Sequence, residues 1–493
     1  MANILKQFSE QLGNNEAVKF NFSVYNPETN KLVLSLLSQA LNSNDLAYFE
    51  NLIIAFVREL IFNAVKANLK RAYFIAQKAD ITSSSEYEEK MQNFETEGLA
   101  KIKRYTKILQ LNKLIIQFSV KIGKDSIHIR VANNVPMLEI EKINVEKIFS
   151  SFRDIESIST IPVFSKFEGA GMGLAMNLML LKKTGIPTKN FYHQTNEKIT
   201  AFNLVIPKKI ELPDTVHKIQ SRIVREISTM PMFPDVVTKI LKLCDDVESH
   251  MSIIATAISK DPAITAGVIK LANSGGYITQ HKVNSISDAT RILGIRAIRN
   301  MTLATAVKEI MSSKYKVFQS FWDHAFKCAF YAKKIVSILK LKIEGDSVYL
   351  GGLLHDIGKI VLASIEPKII NELNGLAIQH GNRNTSTLEE ISLGVSHSTI
   401  GAKLSQVWKF SDTLIEMIKY HHAPMMAAAE YQVYAAVVHL ADALLSIETK
   451  NGSYVYVDMF VLDCLSLESL VNIEFLHDKL KLAFTRNEEV IAD

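Results

Sequence analysis

The chain has 493 residues, 48% of them hydrophobic and 22% charged, with a formal net charge of +5. That length exceeds one ordinary core and predicts two or three domains of ordinary globular composition, neither disordered nor fibrous. The slight charge argues against a dedicated nucleic-acid protein, and three cysteines (Cys244, Cys328, Cys464) without a CxxC pair argue against a disulfide framework. The opening "MANILKQFSEQLGNNEAVKF" carries no signal-peptide pattern, and no apolar run is read as reaching the roughly 18 residues of a membrane helix. "VYAAVVHLADALL" is short and broken by His439 and Asp442, so a soluble cytoplasmic protein without membrane association is expected.

Residues 1–210 mix strand and helix signals and predict an α/β domain. "KLVLSLLS" (31–38) reads as a strand and 45–75 as a long helix. "KLIIQFSVKIGKDSIHIRVANN" (113–134) reads as strand, tight turn, strand, and "ITAFNLVIP" (199–207) as a closing strand. "DITSSSEYEEKMQNFETEG" between helix and hairpin is polar and reads as an exposed insertion. Within the long helix, Glu59, Asn63 and Lys66 fall at i, i+4 and i+7 on the face that carries Leu52 and Phe56. A stripe that turns from apolar to polar without changing direction faces a cleft; the plain alternative is a solvated face. "VANNVPM" follows the hairpin, and "KFEGAGMGLAMNLMLL" sets Gly169, Gly171 and Gly173 ahead of a helix, where backbone amides can approach phosphate.

Together these segments resemble the GHKL ATPase fold of histidine kinases, gyrase-type ATPases and anti-sigma-factor kinases, over about residues 20–208. "ELIFNAVKAN" is similar to the N-box, "GAGMGLA" to the second glycine box and "ITAFNLVIP" to the final strand. The resemblance implies a two-layer α/β sandwich that binds ATP and Mg²⁺. Asn63 would hold the metal, Glu59 would orient or activate the attacking group, Lys66 would join the nucleotide-binding set, and the three glycines would cap the triphosphate. The chain departs from the family where Asn133 replaces the adenine-binding Asp and Val135 replaces a glycine. No phosphoacceptor-histidine helix pair is read, so an autophosphorylating histidine kinase is not expected.

"PKKIELPDTVHK" (207–218) marks a domain boundary, with 211–218 as linker. From 219 to 447 nearly everything has helical periodicity, and 448–493 reads as a short tail packing on that all-α domain. His324 shares a helical face with Phe321, Cys328 and Ile335. His397 shares one with Ile400, Gly401 and Leu404, His421 follows Met417 and Ile418, and Asp442 lies with Val438 and Leu445. With His355 and Asp356 in "LLHDIGKIVL", these polar groups all turn toward one apolar interior. Neutral imidazoles and carboxylates are what a divalent metal (Mn, Fe, Mg or Zn) requires, and a metal would offset their burial; the alternative is a hydrogen-bonded polar core.

"HDIGK", with an upstream His, a downstream His, an "HH" pair and a final Asp, resembles the HD phosphohydrolase superfamily. More closely, "STMPMFPDVVTKIL", "ISKDPAITAGVIKLANSGGY", "ISDATRILGIRAIRNMTLATAV", "GGLLHDIGKIVL", "HHAP" and "HLADAL" resemble the HDOD domain, a bacterial signalling branch. The resemblance implies a metal site in 320–447 built from His324, His355, Asp356, His397, His421 or His422, and Asp442, with Lys359 directed toward substrate phosphate as in HD-GYP relatives. Two metals would there polarise a phosphodiester and supply a bound hydroxide. The chain departs from HD-GYP enzymes after "HH", reading "HHAPMMAAAE" where they carry a Gly-Tyr-Pro loop tied to cyclic-dinucleotide hydrolysis.

Residues 252–300 allow a helix-turn-helix reading with Arg291, Arg296 and Arg299 on the second helix, but without a wider basic cluster DNA binding is not expected. Three functions are weighed: a bacterial signal-transduction regulator that engages signalling proteins, a metal-dependent phosphohydrolase acting on a nucleotide or cyclic dinucleotide, and an ATP-dependent protein kinase. The regulator is the expectation.

Overall fold

The computed structural model describes residues 2–14, 16–46, 49–99, 102–151, 173–175, 177–178, 181, 184–210, 214–273, 283–379, 385–450, 454, 457–467 and 470–492. It divides into two compact units, Met1–Ile219 with Thr387–Gly394, and Gln220–Ser386 with Val395–Asp493.

In the first unit the strands are β1 (Val18–Phe22), β2 (Ile116–Ile122), β3 (Ser126–Asn133), β4 (Phe191–Thr195) and β5 (Thr200–Pro207). They form one antiparallel sheet in the order β1-β2-β3-β5-β4. Its helices are α1 (Ala2–Gly13), α2 (Pro27–Asn42), α3 (Glu50–Gln77), α4 (Ser84–Met91), α5 (Ile102–Leu111) and α6 (Glu139–Ser151). The expected hairpin is present, with Ile116 opposite Asn133 and Ile122 opposite Ile127. Phe118, Val120, Ile129 and Val131 alternate onto one buried face, and α2 and α3 pack on the sheet.

Residues 31–38 are the middle of a helix, not the expected strand. Asn26 and Thr29 form a reciprocal capping box, with Pro27 at the first helical position. Val33, Leu34, Leu37 and Leu41 are buried at helical spacing, a period hidden in a short, nearly continuous apolar run. The supposed insertion after α3 is also structured. It forms α4 and a π-turn at Phe94–Gly98, and its few apolar residues, Tyr87, Met91 and Phe94, join Leu69, Tyr73, Phe74 and Tyr105 in a core cluster. Lys70 reaches into this cluster and donates to Tyr87 Oη and Glu141 Oε1, each at 2.8 Å. β1 and β4 have no counterpart among the expected elements.

The second unit is helical. Its elements are α7 (Asp214–Ser228), which runs through the boundary, α8 (Asp235–Asp245), α9 (Met251–Ser259), α10 (Pro262–Ala272), α11 (Ile286–Lys314) and α12 (Phe318–Ile338). Then come α13 (Gly345–Leu354), α14 (Ile357–Ile365), α15 (Pro367–Gln379), α16 (Thr385–Leu393, most of which is counted with the first unit), α17 (His397–Val407), α18 (Asp412–Tyr420), α19 (Gln432–Lys450), α20 (Met459–Cys464) and α21 (Leu470–Ala492). Segment Gly345–Ile365 is apolar and long enough to meet a membrane-span criterion, contrary to the expectation that no run would be. It is two helices broken at His355–Asp356, and 83% of its apolar window is buried inside the fold.

The C-terminal segment is two helices. α21 packs on α12 and brings His477 between Tyr454 Oη and Glu448 Oε1, both at 2.8 Å. Glu448 also accepts from Tyr331 Oη and Lys327 Nζ, each at 2.6 Å. Burial raises the Glu448 pKa, but His477, Lys327 and Tyr331 outweigh it and hold the carboxyl at about 2, against an ordinary 4.5. A depressed carboxylate stabilises the fold above its unfolded pKa and loses that contribution as pH falls through its folded value. Unfolding free energy of the wild type is therefore expected to drop between about pH 4.5 and 2. Glu448→Gln is expected to flatten that part of the profile, as read by urea denaturation at stepped pH; an unchanged slope refutes the assignment.

Candidate metal centre

The centre is assembled at helix ends and in mid-helix. His355 is the C-cap of α13, and Asp356 follows it as the residue before α14. His421 is the C-cap of α18, His397 opens α17, His324 lies within α12 and Asp442 within α19. Ser396 caps α17 through the Thr399 amide. Two glycines permit the approach of backbones. A Cβ at Gly358 would overlap the His397 carbonyl oxygen and lie 2.7 Å from Gly401 N, and one at Gly352 would lie 2.8 Å from Ala329 Cα. Gly358 therefore lets α14, which follows Asp356, lie directly against the start of α17, which carries His397.

Around Asp356 the side chains form two groups. In one, His397 Nε2 lies 3.2 Å from Asp356 Oδ1 and 3.1 Å from both His421 Nε2 and His422 Nε2. In the other, His355 Nε2 is 3.4 Å from Asp356 Oδ2, and His324 Nε2 is 3.9 Å from the same oxygen. Asp442 Oδ1 adjoins this second group, 3.1 Å from His324 Nε2 and 3.8 Å from His355 Nε2. Asp356 is thus common to both. His355, His397 and His421 are fully buried and Asp356 is 4% exposed, whereas the His324 side chain is 30% exposed. Lys359 Nζ sits 2.8 Å from Asp356 Oδ2.

The tautomers follow from the backbone. His355 Nδ1–H donates to the Gly352 carbonyl at 2.7 Å and His421 Nδ1–H to the Ile418 carbonyl at 2.8 Å. A neutral imidazole so held presents a bare Nε2 lone pair to the interior, the form that ligates metals. His355 Nε2 and Asp356 Oδ1 are buried and make no hydrogen bond among the described residues. Orphaned acceptors of this kind are costly unless a cation answers them.

Burial works against charge on both aspartates. His355 and Lys359 nonetheless hold Asp356, and His324 and His355 hold Asp442, well below the usual carboxylate range. Burial and the neighbouring imidazoles hold His421 and His422 well below the usual histidine pKa. Burial opposes protonation of His355 too, but the Asp356 charge outweighs it and raises that imidazole well above its usual value. Ionised carboxylates beside the free lone pairs of His421 and His422 fit a divalent cation, which at His355 would take the place of a proton.

All seven expected ligands are brought together, with both His421 and His422 at the cluster. In the sequence His439 reads only as a break in an apolar run. Its Nδ1–H donates to the His421 carbonyl at 2.7 Å, while its Nε2 is buried without a hydrogen bond among the described residues. The spacing of His439 three before Asp442, one helical turn away, was the available signal.

In the first unit Glu59, Asn63 and Lys66 lie part-buried on α3. Gly173 packs so tightly on Glu59 that a Cβ there would overlap the carboxylate. Asn63 Nδ2 is buried without a hydrogen bond among the described residues. Asn133, at the end of β3, is buried and donates to Asn68 Oδ1 at 3.3 Å. Val135 is buried in the core cluster, and its carbonyl accepts from Thr200 Oγ1. Gly169 and Gly171 lie outside the described residues. In the second unit each arginine of the helix-turn-helix reading meets a carboxylate: Arg291 with Asp288, Arg296 with Glu344, and Arg299 with Asp245 through two bonds of 2.6 and 3.0 Å.

The arrangement is a histidine- and aspartate-rich cluster compatible with a metal site, in a helical domain. Residues 230–424 match the family model of the HDOD domain, so the C-terminal half carries an HDOD domain. The chain is similar to an uncharacterised protein of Treponema pallidum (strain Nichols), 26% identical over 429 residues, which span 86% of this chain and 81% of that one. Among solved structures it is similar to an HDOD domain protein of unknown function from Geobacter sulfurreducens, at 21% identity and a TM-score of 0.46, over 57% of this chain and 98% of that one. A protein of Shewanella amazonensis SB2B provisionally named a phosphohydrolase aligns at 21% identity and a TM-score of 0.44, over 55% and 97% of the two chains.

Proposed function

We propose that this chain is a bacterial signal-transduction regulator whose HDOD module holds a divalent-metal centre and whose first unit engages a nucleotide or a partner signalling protein. The observation that carries the metal reading is the Asp356 carboxylate shared by two groups of mostly buried imidazoles, with His355 Nε2 and Asp356 Oδ1 left without hydrogen bonds among the described residues. An imidazole-rich donor set suits Fe or Zn better than Mg, and its two carboxylates admit Mn. His324, His355, Asp356, His397, His421, His422 and Asp442 are the residues that would hold it. The regulatory reading rests on the HDOD match, on the departure from the Gly-Tyr-Pro loop in "HHAPMMAAAE", and on a centre whose imidazoles His355, His397 and His421 are closed to solvent.

A second reading, a metal-dependent phosphohydrolase, is favoured by Lys359. Its ammonium stands beside Asp356, whose carboxylate also adjoins the part-exposed His324, and would orient a phosphate arriving at that rim. A bound divalent ion would polarise the phosphate ester as a Lewis acid. Metal content of the purified protein, with hydrolysis of bis(p-nitrophenyl) phosphate in added Mn²⁺, separates the two readings. The regulator reading expects bound metal without turnover. Turnover lost in both His355→Ala and Asp356→Ala establishes the enzyme, and a protein that neither carries nor takes up metal removes both metal readings.

For the first unit the GHKL resemblance is supported by Glu59 and Asn63 part-buried on one helix beside Gly173, with the Asn63 amide nitrogen unanswered. Calorimetric titration with ATP–Mg²⁺ is expected to show binding that Asn63→Ala weakens about tenfold or more, in line with the loss of a charge-assisted contact. Undiminished binding in that variant overturns the site.

A further inference from the structure

The metal reading gives His439 no part to play. It sits on α19 among Val437, Val438, Leu440 and Ala441, all fully buried, where an aliphatic side chain would continue the apolar run. Its imidazole instead donates from Nδ1–H to the His421 carbonyl at 2.7 Å. That bond fixes the tautomer and leaves Nε2 a bare acceptor, buried and without a hydrogen bond among the described residues. A buried acceptor left unanswered costs stability, so the position gives something up for the carbonyl bond.

The carbonyl it holds belongs to a helix end, where the last carbonyls have no donor within the helix. At the end of α18 the Ile418 carbonyl accepts from the His421 imidazole at 2.8 Å, and the Tyr420 carbonyl accepts from the Ala423 amide at 2.9 Å. Both donors belong to the same turn of chain, so they shape the end without placing it. The His421 carbonyl is answered from another helix, and this bond sets the end of α18 against α19. Gln432, at the start of α19, holds the following segment in the same way, donating to the Met425 and Ala427 carbonyls at 3.0 and 3.1 Å.

The gripped peptide joins His421 to His422, whose imidazoles each lie 3.1 Å from His397 Nε2. Asp442 follows His439 by three residues on α19, about 4.5 Å along the axis. One hydrogen bond thus ties the chain bearing two donors of the first group to the helix whose Asp442 adjoins the second. The His355 imidazole is oriented separately, by the Gly352 carbonyl.

We propose that His439 is a positioning residue, whose Nδ1–H holds the His421–His422 peptide so that both imidazoles stay directed at His397 and Asp356. The proposal deepens the reading that the module holds a divalent metal, and it rests on that reading. His439 acts through the ligands and is not one of them. Groups that orient ligands in this way change metal affinity by roughly ten- to a hundredfold.

The experiment is titration of the chelated full chain with Mn²⁺, the free ion being counted by its electron paramagnetic resonance signal. His439→Leu removes the donor, keeps much of the bulk, and is expected to weaken Mn²⁺ binding about tenfold or more. His439→Asn places an amide N–H where Nδ1–H stood and has no counterpart of Nε2; it is expected to stay within about threefold of wild type. His439→Ala takes the place of His439→Leu if the latter does not fold, and each variant's metal-free melting temperature is measured beside its affinity. A role in stability alone would not produce the rescue by asparagine. Wild-type affinity in the variant without a donor overturns the proposal and leaves the metal reading standing. Loss in His439→Asn as large as in His439→Leu does the same. A wild-type chain that binds no Mn²⁺ overturns the proposal together with the Mn²⁺ reading beneath it.

Discussion

Gly358→Val is expected to leave the second unit unable to fold cooperatively, a loss above about 4 kcal/mol. A Cβ at this position meets main chain, overlapping the His397 carbonyl oxygen and lying 2.7 Å from Gly401 N, so no rotamer change relieves the clash. Overpacking against movable side chains typically costs about 1–3 kcal/mol; against backbone the helices themselves must separate. Gly345→Ala is the control, since its Cβ would meet only Lys333 Cγ at 3.6 Å, and it is expected to change stability by less than about 0.5 kcal/mol. Thermal melts of the two variants beside wild type check the pair. A Gly358→Val protein that melts within a few degrees of wild type would falsify the close approach of α14 and α17.

Asp356→Ala is expected to abolish stabilisation by metal. A ligand at a hundred times its dissociation constant stabilises the native state by about 2.7 kcal/mol. For a unit of this size that raises the melting temperature by roughly 5–10 °C. Wild type should show such a rise with Mn²⁺ after chelation, and Asp356→Ala should show none, because the carboxylate common to both groups is gone. The variant also removes the partner of Lys359 and of His355, so its metal-free melting temperature must be measured separately. An Mn²⁺-dependent rise of wild-type size in the variant rules out Asp356 as the shared ligand.

The helical half and its centre were legible because each polar residue interrupts an apolar face. His324, His355, His397, His421 and Asp442 are conspicuous against the periodicity that buries their neighbours. His439 was less legible: its contribution is a hydrogen bond to a backbone carbonyl, and backbone partners leave no mark in composition. In the first unit the hairpin at 116–133 declared itself by alternation and its turn, whereas 31–38 was misread because eight mostly apolar residues satisfy both periods. The capping box at Asn26 and Thr29 was the deciding signal there. Residues 84–98 read as surface because three buried side chains, Tyr87, Met91 and Phe94, are scattered among charged ones. β4 was missed because short strands depend on partners remote in sequence; Phe191 finds Leu204 only in the folded sheet.

The placement of His355 and His421 at the ends of α13 and α18 has an electrical consequence. A helix carries the equivalent of about half a negative charge at its carboxyl end. Both helices terminate beside Asp356, but α14 and α17 begin there, at Asp356 and His397, with the opposite half-charge, so the four helix ends offset one another and the charges of Asp356 and Asp442 remain. The field there draws cations in and pushes anions away. Lys359 is the lysine paired with Asp356 at that centre, and its ammonium supplies positive charge before any metal does.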